Sequence, residues 1–147
     1  MSETVTDLSF ALPDVPGWIY PALVRAASEA IIVVDRDGAI QIWNPAAEQL
    51  FGYTSHDMLG EQLDAIIPER LRAAHNVGFQ RAVESATTKY KGKVMTTRAV
   101  HKNGSKVYID MSFSLLTDNH GKVAAVAAVA RDVTERYLDE AQAHRTT

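Results

Sequence analysis

The chain has 147 residues, a net charge of −3, and 46% hydrophobic against 22% charged residues. That balance suits one packed domain, and a pI of about 5.9 advertises no basic surface for nucleic acid. With no cysteine, disulfides, thiolate metal sites, a cysteine nucleophile, haem attached through C-x-x-C-H and any thioether-held chromophore are excluded.

No apolar run reaches the ~18 residues of a membrane span. The start, MSETVTDLSF, lacks a basic segment followed by an apolar one, so no secretory signal is expected and a cytoplasmic location follows by default. Residues 1–15 carry Pro13 and no clean periodicity, and read as a loose lead-in. Across 16–29, Trp18, Ala22, Leu23, Ala26 and Ala27 recur at helical intervals. This amphipathic helix must pack on the domain or on another subunit.

The β-branched run Ile31-Ile32-Val33-Val34 then predicts a strand, closed by the turn Asp35-Arg36-Asp37-Gly38. Residues 39–43 complete a hairpin. Asn44-Pro45 is a helix start, with Asn as cap and Pro at the first helical position. That helix stops at Gly52, and a second, opened by Thr54-Ser55, stops at Gly60. Pro68 opens the longest helical pattern, to about residue 85. In it Leu71, His75, Gly78, Phe79 and Ala82 share one stripe, with His75 one turn from both Leu71 and Phe79.

Three strands follow. The first, 91–101, ends in the hairpin turn Asn103-Gly104. In the second, 106–116, Val107, Ile109, Met111, Phe113 and Leu115 alternate with Lys106, Tyr108, Asp110, Ser112 and Ser114. The third, 123–133, is apolar on both faces, as a covered central strand would be. Its far face, read as Ala124, Val126, Ala128 and Ala130, needs cover from the N-terminal helix or a partner subunit. Residues 134–145 read as a charged helix. The order β-β-α-α-α-β-β-β predicts an α+β fold, a five-stranded antiparallel sheet with helices on one face. The domain proper is placed at 30–134, with 135–147 as a linker helix.

The stretch Ile42-Trp43-Asn44-Pro45-Ala46-Ala47-Glu48-Gln49-Leu50-Phe51-Gly52-Tyr53 resembles the second-strand-to-helix segment of PAS domains. Met58-Leu59-Gly60, His101-Lys102-Asn103-Gly104-Ser105 and Arg131-Asp132-Val133-Thr134-Glu135-Arg136 resemble three further landmarks of that family, in family order. The resemblance spans about residues 28–136 and implies a bacterial sensory domain whose last strand passes a sheet distortion to the C-terminal helix. An effector domain or a separate signalling protein would follow. PAS domains hold haem, flavins, small metabolites or nothing identifiable.

The segment Ile66-Ile67-Pro68-Glu69-Arg70-Leu71-Arg72-Ala73-Ala74-His75 is similar to haem-binding PAS domains of rhizobial oxygen-sensing kinases and direct oxygen sensors. That resemblance implies His75 as proximal ligand of a b-type haem, with Met95, Met111 and Phe113 lining the distal side. The rhizobial kinases carry an arginine where Met95 falls; the nearest here, Arg98, is expected on the other face of its strand.

Imidazole is a good ligand for haem iron, and Gly78 removes a side chain beside it. The bland alternative makes His75 a partly buried histidine bonded to backbone. Met95 and Met111 are likewise either distal ligands or adaptable core filling. His101 and His120 flank turns and are expected in solvent, and no two histidines have metal spacing. Flavin adduct chemistry lacks its cysteine, while noncovalent flavin has no motif in its favour. Asp35 and Asp37 belong to a turn, and no catalytic triad is suggested. Two functions therefore stand: a haem sensor, or a haem-free module that homodimerises through the sheet face and N-terminal helix, binding a small metabolite at most. Neither involves catalysis, nucleic acid or membrane.

Overall fold

The computed structural model describes residues 14–88 and 91–146. Most of the lead-in expected at 1–15 lies outside them. In chain order the elements are α1 (Ile19–Ala26), β1 (Ala30–Asp35), β2 (Ile40–Trp43), α2 (Pro45–Phe51) and α3 (Ser55–Met58). Two 3-10 turns, Leu63–Ile66 and Glu69–Leu71, lead into α4 (Arg72–Ser85). Then come β3 (Met95–Val100), β4 (Lys106–Thr117), β5 (Val123–Asp132) and α5 (Thr134–Thr146). The five strands form one antiparallel sheet in the order β2-β1-β5-β4-β3, the expected α+β architecture.

Local chemistry sets the punctuation. Thr54 caps α3 in a reciprocal capping box with Asp57. At the end of α2, Gly52 takes φ +83, and a Cβ there would stand 2.5 Å from the His101 imidazole. His101 is thus a packed side chain and not the solvated one expected, because the β3–β4 turn folds back over the end of α2, where the Lys102 amide donates to the Phe51 carbonyl at 2.9 Å.

Three expected spans are shortened, among them the strand expected at 91–101, which pairs only over Met95–Val100. The first helix covers 19–26 and not 16–29, since Ala27 leaves it with extended backbone. The helix expected from Pro68 opens as a 3-10 turn and becomes α-helical at Arg72, whose Nε donates to the Ile67 carbonyl at 3.1 Å.

The core lies between the sheet and the helices, around Ile32, Ile40, Trp43, Phe51 and Ile109. Trp43 and Phe51 rings sit 5.5 Å apart, and the Trp43 indole N–H donates to the Tyr53 carbonyl at 2.9 Å, so the large apolar body is buried without orphaning its donor.

Register corrects one expectation. Val126, Ala128 and Ala130 pair with Leu115, Phe113 and Met111, and with Val34, Ile32 and Ala30 on the other side. They therefore face the helices. The outer face is formed by Ala125, Ala127 and Val129 against Asp35, Val33 and Ile31. Apolar residues on both faces gave the sequence no means of choosing.

Candidate functional site

On β3 and β4, cross-strand pairs place Met95 opposite Met111, Thr97 opposite Ile109 and Ala99 opposite Val107 on the inner face. The outer face carries Thr96 opposite Asp110 and Arg98 opposite Tyr108. The expected orientation of Arg98, away from the interior, is the one found. Phe113 falls on the inner face two residues beyond Met111, half-buried.

His75 is half-buried on α4, and its Nδ1 lies 3.4 Å from Asn76 Oδ1. A proton on Nδ1 makes that contact a hydrogen bond and leaves Nε2 with its lone pair. Phe79, one turn on, packs against the core, as does Met111. Leu71 is half-buried in the preceding 3-10 turn. Gly78 is exposed, and a Cβ built on it would meet nothing within 4 Å.

An imidazole on α4 with apolar Leu71 and Phe79 to either side is a donor set of the kind that holds a b-type haem iron, while exposed Gly78 opens to solvent beside it. Two clefts, of about 660 and 540 Å³, lie elsewhere. The first runs between the end of α1, α2 and the end of β5, past the ion pair of Arg131 with Glu29. The second is lined by the β5–α5 junction. Among the described residues no group of three or more His, Asp or Glu is arranged to hold a metal ion, and no helix is long and apolar enough to cross a membrane.

Three further contributors were not legible in advance. Asn44, read only as a helix cap, is 4% exposed and makes four side-chain bonds. Its Oδ1 accepts from the Ile31 amide at 2.8 Å and the Ala47 amide at 3.0 Å. Its Nδ2 donates to the carbonyls of Val24 at 2.9 Å and Glu29 at 3.1 Å. It thereby ties α1 to β1 and α2, which no local pattern reveals.

The second is the α5 base. The Tyr108 amide donates to Thr134 Oγ1 at 2.9 Å, and Arg136 Nη2 to Asp110 Oδ2 at 3.1 Å. The carboxyl of Asp110 is held below its usual 3.8, first by the Thr96 hydroxyl and then by Arg136. The third is Thr97, turned inward by its pairing with Ile109, on a strand whose weak alternation left its direction open in the sequence.

A family model described as the PAS fold matches residues 24–138. The chain is 29% identical over 126 residues to the oxygen sensor protein DosP of Escherichia coli, a match covering 86% of this chain and 15% of that protein. It is 23% identical over 121 residues to the sensor protein FixL of Bradyrhizobium diazoefficiens, covering 82% of this chain and 24% of the relative. It thus spans well under two thirds of either. Among solved structures, the PAS domain of a Colwellia psychrerythraea protein superposes with a TM-score of 0.69 at 21% identity, covering 80% of this chain and 97% of that one. An RNA-binding light-oxygen-voltage receptor reaches the same TM-score of 0.69 at 23% identity, with 97% of this chain and 41% of that one covered.

Proposed function

The chain belongs to the PAS-fold family of sensory, signal-transduction domains, and from that premise we propose that it binds b-type haem and senses a gas or the iron redox state. The observation that carries this reading is His75, half-buried on the α4 stripe one turn from core-packed Phe79, with a free ring nitrogen. His75 would hold the iron through a ring nitrogen. Leu71 and Phe79 flank it, and Gly78 leaves room beside it. Met95, Met111 and Phe113 would line the facing wall on β3 and β4, and either methionine would offer a thioether sulfur to the iron. The haem supplies the coordination position at which a diatomic gas or an electron is registered.

The signal leaves through β4 and α5 to an effector domain or a separate signalling protein in the bacterial cytoplasm. The relatives' names, an oxygen sensor and a sensor protein, support a sensory output. No catalysis is part of this proposal. Asp35 Oδ1, for instance, is spent accepting from the amides of Asp37 and Ala39 at 2.9 and 3.0 Å.

Two copies pair through the outer sheet face and α1. Val129 and Leu116 are 38% and 42% exposed on the sheet, while Leu23 of α1 and Trp18, just before it, are 64% and 68% exposed. Val129→Arg is expected to leave a monomer in sedimentation; an unchanged dimer would exclude that face.

A second reading, a haem-free dimerisation module binding a small metabolite or nothing, is favoured by the placement of both clefts away from His75. Hemin titration with absorption spectroscopy separates the two. A sharp Soret band saturating at one haem per chain, and altered in His75→Ala, supports the sensor. Broad absorbance that never saturates supports the module.

A further inference from the structure

The adjacent threonines of β3 have opposite surroundings. Thr96 points outward, and its hydroxyl donates to Asp110 Oδ1 at 2.5 Å. Thr97 points inward opposite Ile109, between the pairs Met95–Met111 and Ala99–Val107. Ala99, Val107 and Ile109 are buried and Thr97 is half-buried. The inner positions of β3 and β4 are otherwise apolar, up to Phe113 and Leu115. Among the described residues the Thr97 hydroxyl has no hydrogen-bond partner. A valine has nearly the same shape and meets an apolar wall without a lone hydroxyl to satisfy.

Resting on the haem reading above, we propose that Thr97 is a specificity-determining residue, whose hydroxyl donates a hydrogen bond to a polar or anionic ligand held against the inner face of β3 and β4. Met95 and Met111 beside it discriminate by bulk and polarisability, and Phe113 by shape. Thr97 alone on this wall adds a donor, so it favours ligands that carry an acceptor atom over those that do not.

Fluoride on the ferric, hemin-loaded protein is the probe, since it accepts hydrogen bonds and donates none. Thr97→Val is expected to weaken fluoride affinity roughly 2- to 10-fold, the ratio corresponding to one ordinary hydrogen bond, and to shift the charge-transfer band of the fluoride adduct. Thr97→Ser is expected to keep both. In the haem-free protein Thr97→Val is expected to melt no lower than the wild type.

Equal fluoride affinity in wild type and Thr97→Val, or no affinity in the hemin-loaded wild type, overturns the role of Thr97 and leaves haem binding standing. A melting point several degrees lower in haem-free Thr97→Val overturns it too, by making the hydroxyl structural. Wild-type protein that takes up no hemin removes the haem reading and this role together.

Discussion

Tyr137, in the first turn of α5, stacks on Tyr108 of β4 with ring centroids 3.9 Å apart and planes within 11°. The contact sits beside two backbone bonds to the same residue. Val133 donates its amide to the Tyr108 carbonyl at 2.8 Å, and Thr134 Oγ1 accepts from the Tyr108 amide at 2.9 Å. Tyr108 lies between Val107 and Ile109, whose side chains face the core. Any movement of β4 that follows from filling the interior therefore moves the seat of α5.

Tyr137→Ala is expected to cost about 1 kcal/mol, the worth of one aromatic pair. Hydrogen exchange should show the larger effect. Amides of α5 should exchange faster while those of β1 and β5 keep their protection. Uniform acceleration across the sheet would show instead that the stack supports the whole domain.

Asn44→Ala removes the side-chain partner of four backbone groups, the Ala47 amide buried and the other three partly so, and a loss on the order of 2–3 kcal/mol in chemical denaturation is expected. Asn44→Asp is the sharper variant. It keeps the two acceptor bonds from Ile31 and Ala47 but places an oxygen against the carbonyls of Val24 and Glu29. Proteolysis within 19–26 should accelerate more than global unfolding does. Equal effects of the two substitutions would mean that the bonds from Ile31 and Ala47 contribute nothing, and that Asn44 serves α1 and not α2.

Ala86 closes α4 at φ 56, in the left-handed region that favours glycine. Glycine relieves that conformation but gives the unfolded chain more entropy to lose on folding, so the two effects oppose each other. Ala86→Gly is expected to stabilise by roughly 0.5–1 kcal/mol, read as a higher urea midpoint at unchanged slope. A lower midpoint would show that the Ala86 methyl contributes packing that outweighs the strain.

Among the described residues, three carboxylates are held below their usual 3.8. Asp57 is held down first by the Thr54 hydroxyl, Asp110 by the Thr96 hydroxyl, and Asp118 by the amides of His120 and then Lys122. A depressed folded pKa adds stability above the unfolded value, lost as pH falls through the folded one. Stability should therefore be insensitive to these groups above about pH 5 and decline as pH drops below 3.8. In Asp110→Asn the acid limb should flatten. An unaltered limb would assign the acid sensitivity to other groups.

Where the cue was local, the residues determined the outcome by themselves. The caps Asn44 and Thr54, the left-handed glycines and the Asn103-Gly104 turn each satisfy their own backbone within a few residues. The element order and the α+β class follow from them, as does the stripe that puts His75 beside Phe79. Tertiary structure alone decided what depends on pairing. β5 is apolar on both sides, so only its register with β1 and β4 could turn Val126, Ala128 and Ala130 inward and Val129 outward. The weak alternation of β3 hid Thr97 until Ile109 came to lie opposite. The reach of Asn44 to Val24, and of Arg136 to Asp110, joins residues 20 and 26 apart along the chain. No period or propensity encodes such bonds, because they exist only once the sheet has brought the segments together.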